Sequence, residues 1–408
     1  MQEKAKAGGF WVLLFWALIG GCWAKEPPEE AYRRKVSLEY NPGRNSSDVN
    51  LLHIRAIGQN DTIHYIWSTI GAPTVVLAYT GSDNSTLHVN WTKLLSPSPA
   101  GAIRIDPPES LLYSTAVVFA KVFEYNGTNT SDLSKALAAD FYPTYDLGNF
   151  TWDSLDGKVN KTGRTATFRG VSADHGGAFW NGSISFQVTA FEASNRDAPL
   201  PRLLHTANST KVEFVMRGVA PRGNCSRFAL EIVTVEDRRG HKQLQSLRSI
   251  DDEYTPTIFE MAQLVSLPRN NSVGSSFLQW KTAAYASQDA QRSDTVHCQY
   301  YPLQTVNCTA PGLSIIHAFF GEALERHYGV AAINISFGSE DSEAYAEKGY
   351  LSWSALIGYG EPPKDSFSTM VIAILAVALG TPLVLLVAGG ITVCVAQKRQ
   401  YSEYEPIN

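Results

Sequence analysis

Gly182-Ser-Ile-Ser-Phe-Gln-Val-Thr-Ala190 alternates strictly: Ile184, Phe186 and Val188 fall on one side, Ser183, Ser185 and Gln187 on the other. A period of two over this length is a strand with one face buried. The same signature recurs at 63–70, 74–80, 87–91, 117–123, 212–216, 228–235, 277–283, 333–337 and 351–357. These runs are rich in β-branched and aromatic residues and are bounded by Gly, Pro, Asn or Asp. Helical periodicity is confined to 132–139 and 315–327. The expected fold class is therefore mainly β, in sandwich-like form. Polar, proline-containing EASNRDAPLPR (192–202) has strands on both sides and reads as a break. Two lumenal β-rich units are expected, 36–192 and 203–357, joined by a linker at 193–202.

Both ends of the chain carry apolar segments of a different kind. Lys4 and Lys6 precede the apolar run 10–19 and the small residues Gly20, Gly21 and Ala24. That is the pattern of a secretory signal peptide over 1–24, followed by a short N-terminal lumenal segment, 25–35. Near the other end, no charged residue lies between Asp365 and Lys398. A spanning helix needs roughly 20 apolar residues, so one transmembrane helix is expected over 367–396. A stalk, 358–366, precedes it. Lys398 and Arg399 favour the cytosolic side for the tail 397–408, making this a single-pass type I topology. Ala376 and Gly380 are four apart, as are Gly390 and Cys394, with Pro382 between the pairs. Small residues at that spacing let a second helix approach closely. Cys394 is also a candidate for palmitoylation.

Asn-x-Ser/Thr acceptors crowd the segment between signal and span. They are Asn45, Asn60, Asn84, Asn90, Asn126, Asn129, Asn149, Asn160, Asn181, Asn208, Asn224, Asn270, Asn307 and Asn334. None falls in the signal, the span or the tail, so sequons and topology agree. A coat of glycans is a steric shield against proteases. A bulky glycan cannot lie inside a packed interface, so partner docking is expected on the long sequon-free gaps, 224–270 and 334 to the membrane. The tail holds Tyr404-Glu-Pro-Ile407, a tyrosine and a bulky aliphatic residue separated by two free positions. Clathrin-adaptor sorting machinery reads such a segment in extended form, and Pro406 disfavours helix at Glu405. Four residues are weak evidence alone; their place at the extreme C-terminus beside the bilayer strengthens them.

Signs of chemistry are sparse. With 34 basic against 39 acidic residues there is no basic excess of the kind nucleic acid requires. There is no His-Glu-x-x-His, Gly-x-Ser-x-Gly, P-loop or Gly-x-Gly-x-x-Gly, so neither a catalytic site, a metal nor a cofactor is expected. Ser172-Ala-Asp174-His175 has triad residue types, but triads assemble from distant segments and a polar loop is the better reading. Asp251-Asp252-Glu253 lacks the spacing of a calcium loop. Of five cysteines, Cys22 lies in the signal. Cys298 and Cys308 are close in sequence in an oxidising compartment and are expected to bridge, leaving Cys225 odd.

Arg202-Leu-Leu-His-Thr-Ala207, Pro221-Arg-Gly-Asn224, Ser249-Ile-Asp-Asp-Glu-Tyr254, Tyr350-Leu-Ser-Trp-Ser354 and Tyr401-Ser-Glu-Tyr404 together resemble the glycosylated lysosomal membrane protein family. The resemblance runs through both expected units, the anchor and the tail. It implies a lysosomal type I protein without enzymatic activity. It further implies an accessory subunit that protects a major-facilitator-superfamily dipeptide transporter from lysosomal proteolysis. The odd cysteine count departs from a family disulfide arrangement. A stand-alone receptor or ligand-binding protein is the alternative, and a membrane-anchored lysosomal hydrolase the third.

Overall fold

The computed structural model describes residues 32–402 apart from 129, 131, 173–177, 239, 252–256, 268–273, 306–314, 339–344, 346–347 and 365–368. The expected signal peptide lies outside the described residues. Two antiparallel sheets pack face to face. The first runs, neighbour by neighbour, Lys35–Tyr40, Leu51–Ile57, Thr62–Ser68, Thr74–Thr80, Leu111–Asn126, Ser226–Asp237 and Tyr328–Phe337. The second runs Phe150–Trp152, Thr165–Ser172, Ser183–Ala190, Ser209–Arg217, Tyr350–Tyr359, Ser276–Lys281, Thr257–Leu267 and His241–Asp251. One strand stitches them together. Residues 295–297 of Thr295–Tyr300 pair with Ala283–Tyr285 beside the second sheet, and residues 298–300 pair with Tyr328–Phe337 in the first.

The alternation at 183–190 holds: Ile184, Phe186 and Val188 are fully buried while the intervening residues are half-exposed. Phe186 meets Phe119 of the opposite sheet at 4.7 Å and Phe214 of its own at 5.5 Å. Trp67, Trp280 and Trp353 fill the same core. Both faces of the first sheet are covered, which is why Thr62–Ser68 is buried along its whole length. The short helix Ile315–Phe320 and Ile103 of the small strand Ile103–Asp106 lie on its outer face with Ile66, Val76, Val118 and Val235. The helical run expected at 315–327 is present as two short helices, Ile315–Phe320 and Ala323–His327. They break at Gly321, whose φ of +57° only glycine adopts without strain.

Three expectations are corrected. The stretches 36–192 and 203–357 are not separate units. Leu111–Asn126 pairs with Ser226–Asp237, Ser183–Ala190 pairs with Ser209–Arg217, and one apolar core draws on both stretches. The expected linker 193–202 is instead part of a flap on the outer face of the second sheet. Asn195–Arg196 pairs with Leu204–His205, Asp197 binds Lys211 at 2.6 Å, and buried Leu203 packs on Met261, Val265, Phe277 and Leu356. Its polarity belongs to its solvent side; Leu203 and Phe191 supply the apolar anchors. The helix expected at 132–139 is a turn followed by the short 3-10 helix Ala138–Asp140. Asp132 accepts hydrogen bonds from Ser134 N and Oγ, a local pattern that competes with helix.

Candidate functional site: the stalk junction, the span and the glycan acceptors

The strand Tyr350–Tyr359 is central in the second sheet, and the chain leaves the sandwich from it. Tyr359 stacks on Tyr79 of the first sheet at 3.9 Å, and its N–H donates to Asn208 O at 3.0 Å. Gly360 then turns the chain with φ +90° while donating to Ser275 O. Past that turn the stalk lies back on the sheet. Pro362 is buried, and the Pro363 carbonyl accepts from Gln279 Nε2 at 3.0 Å. Gln279 also donates to Gln263 Oε1 at 3.4 Å, and Gln263 Nε2 donates to Gln245 Oε1 at 2.7 Å. Gln279 and Gln263 are only 2% and 3% exposed. A buried amide without partners costs about 1–3 kcal/mol, so this ladder of three glutamines holds the stalk against the outer face. The stalk is legible in the sequence and the ladder is not; alternation within 243–245, 261–265 and 277–281 is its only local signal.

Beyond the stalk a continuous helix, Thr369–Ser402, replaces the expected 367–396. Among the described residues, 376–398 is the one helical stretch long and apolar enough to cross a membrane, and no part of it is covered by the sandwich. Pro382 lies inside it and cannot donate to the carbonyl four residues earlier. At about 100° per residue, Ala376, Gly380, Gly390 and Cys394 share one face. Side chains built at Gly380 and Gly390 would meet nothing within 4 Å. The sorting residues Tyr404 and Ile407 lie outside the described residues.

Most acceptor asparagines lie on loops at strand ends. Asn45, Asn60, Asn84, Asn90, Asn149, Asn160, Asn181 and Asn224 are exposed. Asn126 is half-buried in a local turn, its Oδ1 accepting from Thr128 N and Oγ1. Asn208 is tied to Arg34, which is ion-paired to Asp61 at 2.6 Å. Asn334 sits mid-strand with Oδ1 buried and without a partner. Asn129, Asn270 and Asn307 lie outside the described residues. The two sequon-free gaps divide in an informative way. Ser226–Asp237 and Tyr350–Tyr359 are interior strands, whose lack of acceptors follows from burial. Only His241–Asp251 forms an outer edge, with Gln243, Ser246 and Arg248 exposed.

Buried polar clusters were invisible in the sequence. His53 Nε2 and His64 Nδ1 are 2.9 Å apart, His64 Nε2 meets Ser85 Oγ at 2.9 Å, and Ser85 meets Thr80 Oγ1 at 2.7 Å. Burial and the Arg55 guanidinium push His64 down to about 3; burial, His64 and Arg55 hold His53 well below its ordinary value. A neutral, buried imidazole beside a fully buried serine is a hydrogen-bond chain that substrate cannot reach. Glu124, with no exposed side-chain surface, accepts from Arg222 N, Ser226 Oγ and Tyr145 Oη, and ties the 222–226 loop to the first sheet. Among the described residues no three His, Cys, Asp or Glu side chains converge as metal ligands. Asp174, His175, Asp252 and Glu253 lie outside the described residues. Cys298 is fully buried, its thiol pushed well up by burial, and is bridged to no other described residue; its expected partner Cys308 lies outside the described residues. Cys225 is free and half-buried. A cavity of about 220 Å³ lies between the flap and the second sheet, lined by Pro201, Phe259, Lys281, Tyr285, Arg292 and Thr295.

A sequon-rich β-sandwich, carrying a docked stalk and followed by one membrane-length helix, defines the class: a membrane-anchored β-sandwich with a glycan-accepting surface. The model of the glycosylated lysosomal membrane protein family matches residues 50–400. Glycosylated lysosomal membrane protein A of Xenopus laevis is 54% identical over 377 residues, 92% of this chain and 93% of that one. The Bos taurus relative of the same name is 42% identical, covering 92% of this chain and 91% of its own. The Homo sapiens one is 39% identical over 402 residues, 98% of this chain and 95% of its own. The chain belongs to the glycosylated lysosomal membrane protein family, a family of lysosomal membrane glycoproteins whose name carries no enzyme activity.

Proposed function

We propose that the chain is a non-catalytic accessory subunit with a lumenal sandwich and a cytosolic tail. It stabilises a major-facilitator-superfamily dipeptide transporter and shields it from lysosomal proteolysis. The class of partner comes from the resemblance; the observation that supports the mode of action is the docked stalk. Gln279 and buried Pro362 hold the stalk, as far as Pro363, against the sandwich. A helix packing beside the transporter brings a glycan-bearing body, docked on its own stalk a few residues above the span, close to the lumenal loops. The span is uncovered along its length, and its small-residue face leaves room for a partner helix. A stand-alone ligand-binding protein has less support: the 220 Å³ cavity falls below the roughly 300–1,000 Å³ of typical ligand pockets. Purification from lysosomes in mild detergent tests the reading. A stoichiometric multi-span transporter is the expected companion, and its level should fall when this chain is deleted. A lone protein, with transporter levels unchanged, would overturn it.

A further inference from the structure

Trp180 is the most exposed large apolar side chain among the described residues outside the terminal helix, at 77%. It is not at the end of a loose loop. Trp180 and Asn181 are the central pair of a turn closed by Gly182 N–H donating to Phe179 O at 3.2 Å. Phe179 on one side is buried, edge-on to Tyr145 at 5.0 Å and Phe150 at 5.2 Å. Gly182 on the other side lies against the backbone of Val219; an added Cβ would come within 2.7 Å of Val219 Cα. Pinned at both ends, the tip cannot fold inward to bury its indole. Burying a large aromatic surface is favourable, and this one is held out where a neighbouring group can cover it.

The occupant is in the sequence. Asn181-Gly182-Ser183 is a glycosylation sequon whose asparagine is exposed at the same tip. We propose that Trp180 is the platform for the first N-acetylglucosamine of a glycan on Asn181. One face of that pyranose presents aliphatic C–H bonds, which carry partial positive charge and suit the negative face of an indole. Its hydroxyl and acetamido groups remain in water. A sugar tethered to the neighbouring side chain forms this contact intramolecularly, at high effective concentration. The glycan at this site is thereby held against the protein surface, while Trp180 is removed from solvent.

Hydroxyl-radical footprinting of the full-length glycoprotein, read by mass spectrometry at Trp180, tests this. Oxidation of Trp180 should be several-fold slower in glycosylated wild type than in Asn181→Gln or Ser183→Ala. Trimming wild type to a single N-acetylglucosamine should keep the protection; complete enzymatic removal of the glycan from the folded protein should abolish it. The last comparison is made on protein that has already folded, the released asparagine becoming aspartate, so misfolding of a variant does not obscure it. Equal oxidation with and without sugar would overturn the proposal, as would an unmodified Asn181. Protection that persists in Asn181→Gln would also overturn it, and would assign the indole to a protein or bilayer surface.

Discussion

His53 and His64 set a pH dependence at the scale of single residues. Both are neutral in the fold, and His64 is pushed down to about 3 against about 6.5 for a free imidazole. Between those values the unfolded chain binds a proton that the folded chain does not, so stability rises with pH there. This contribution is complete above about pH 6.5 and is lost as pH falls towards 3, at up to about 1.4 kcal/mol per pH unit for His64. The double variant His53→Gln/His64→Gln, which retains amide donors and acceptors but cannot titrate, should flatten the stability profile from pH 6.5 to 4. Urea unfolding across that range measures it; an unchanged slope would place the acid sensitivity elsewhere. The sorting expectation rests on Tyr404 at the same scale. Tyr404→Ala should remove one adaptor pocket contact and raise the surface-biotinylated fraction several-fold. An unchanged lysosomal steady state would mean that another signal sorts the protein.

Elements differ in how much of them local sequence reveals. The terminal helix and the strand 183–190 are carried by composition and period, so both were legible. His241–Asp251 was not, because an edge strand with one solvent face reads as polar: HKQLQSLRSID has only Leu244, Leu247 and Ile250 as apolar marks. The 16-residue strand Leu111–Asn126 was seen only over its apolar middle, 117–123, since polar Ser114, Thr115, Glu124 and Asn126 flank it. The glutamine ladder joins residues brought together by sheet register, which no local window contains. For the terminal helix the test is a bulky residue on the small face. Gly380→Leu meets no atom of this chain, so folding and glycosylation should be unaffected. Small residues are what let a second helix approach closely, so recovery of the transporter should fall several-fold. Recovery equal to wild type would move the contact to another face of the helix.

At the scale of the whole molecule, the sandwich is closed by pairings between residues more than a hundred positions apart, which is why the break at 192–202 misled. Phe119 lies in the first half of the chain and Phe214 in the second, and Phe186 touches both rings. Cutting between the halves would strip Ser226–Asp237 of its pairing with Leu111–Asn126, and Ser209–Arg217 of its pairing with Ser183–Ala190. Each exposed strand would then present unpaired backbone and an uncovered apolar face, the conditions for aggregation. Residues 203–357 expressed alone, with the secretory signal, should therefore fail to leave the endoplasmic reticulum as folded protein. The intact chain carrying an engineered protease site at 195–198 should behave differently. After cleavage its two fragments should stay together through size exclusion and melt in a single transition, because the flap contributes few contacts and the shared core contributes most of them. Independent folding of 203–357, with its own cooperative melt, would restore the two-unit architecture and overturn the interleaved one.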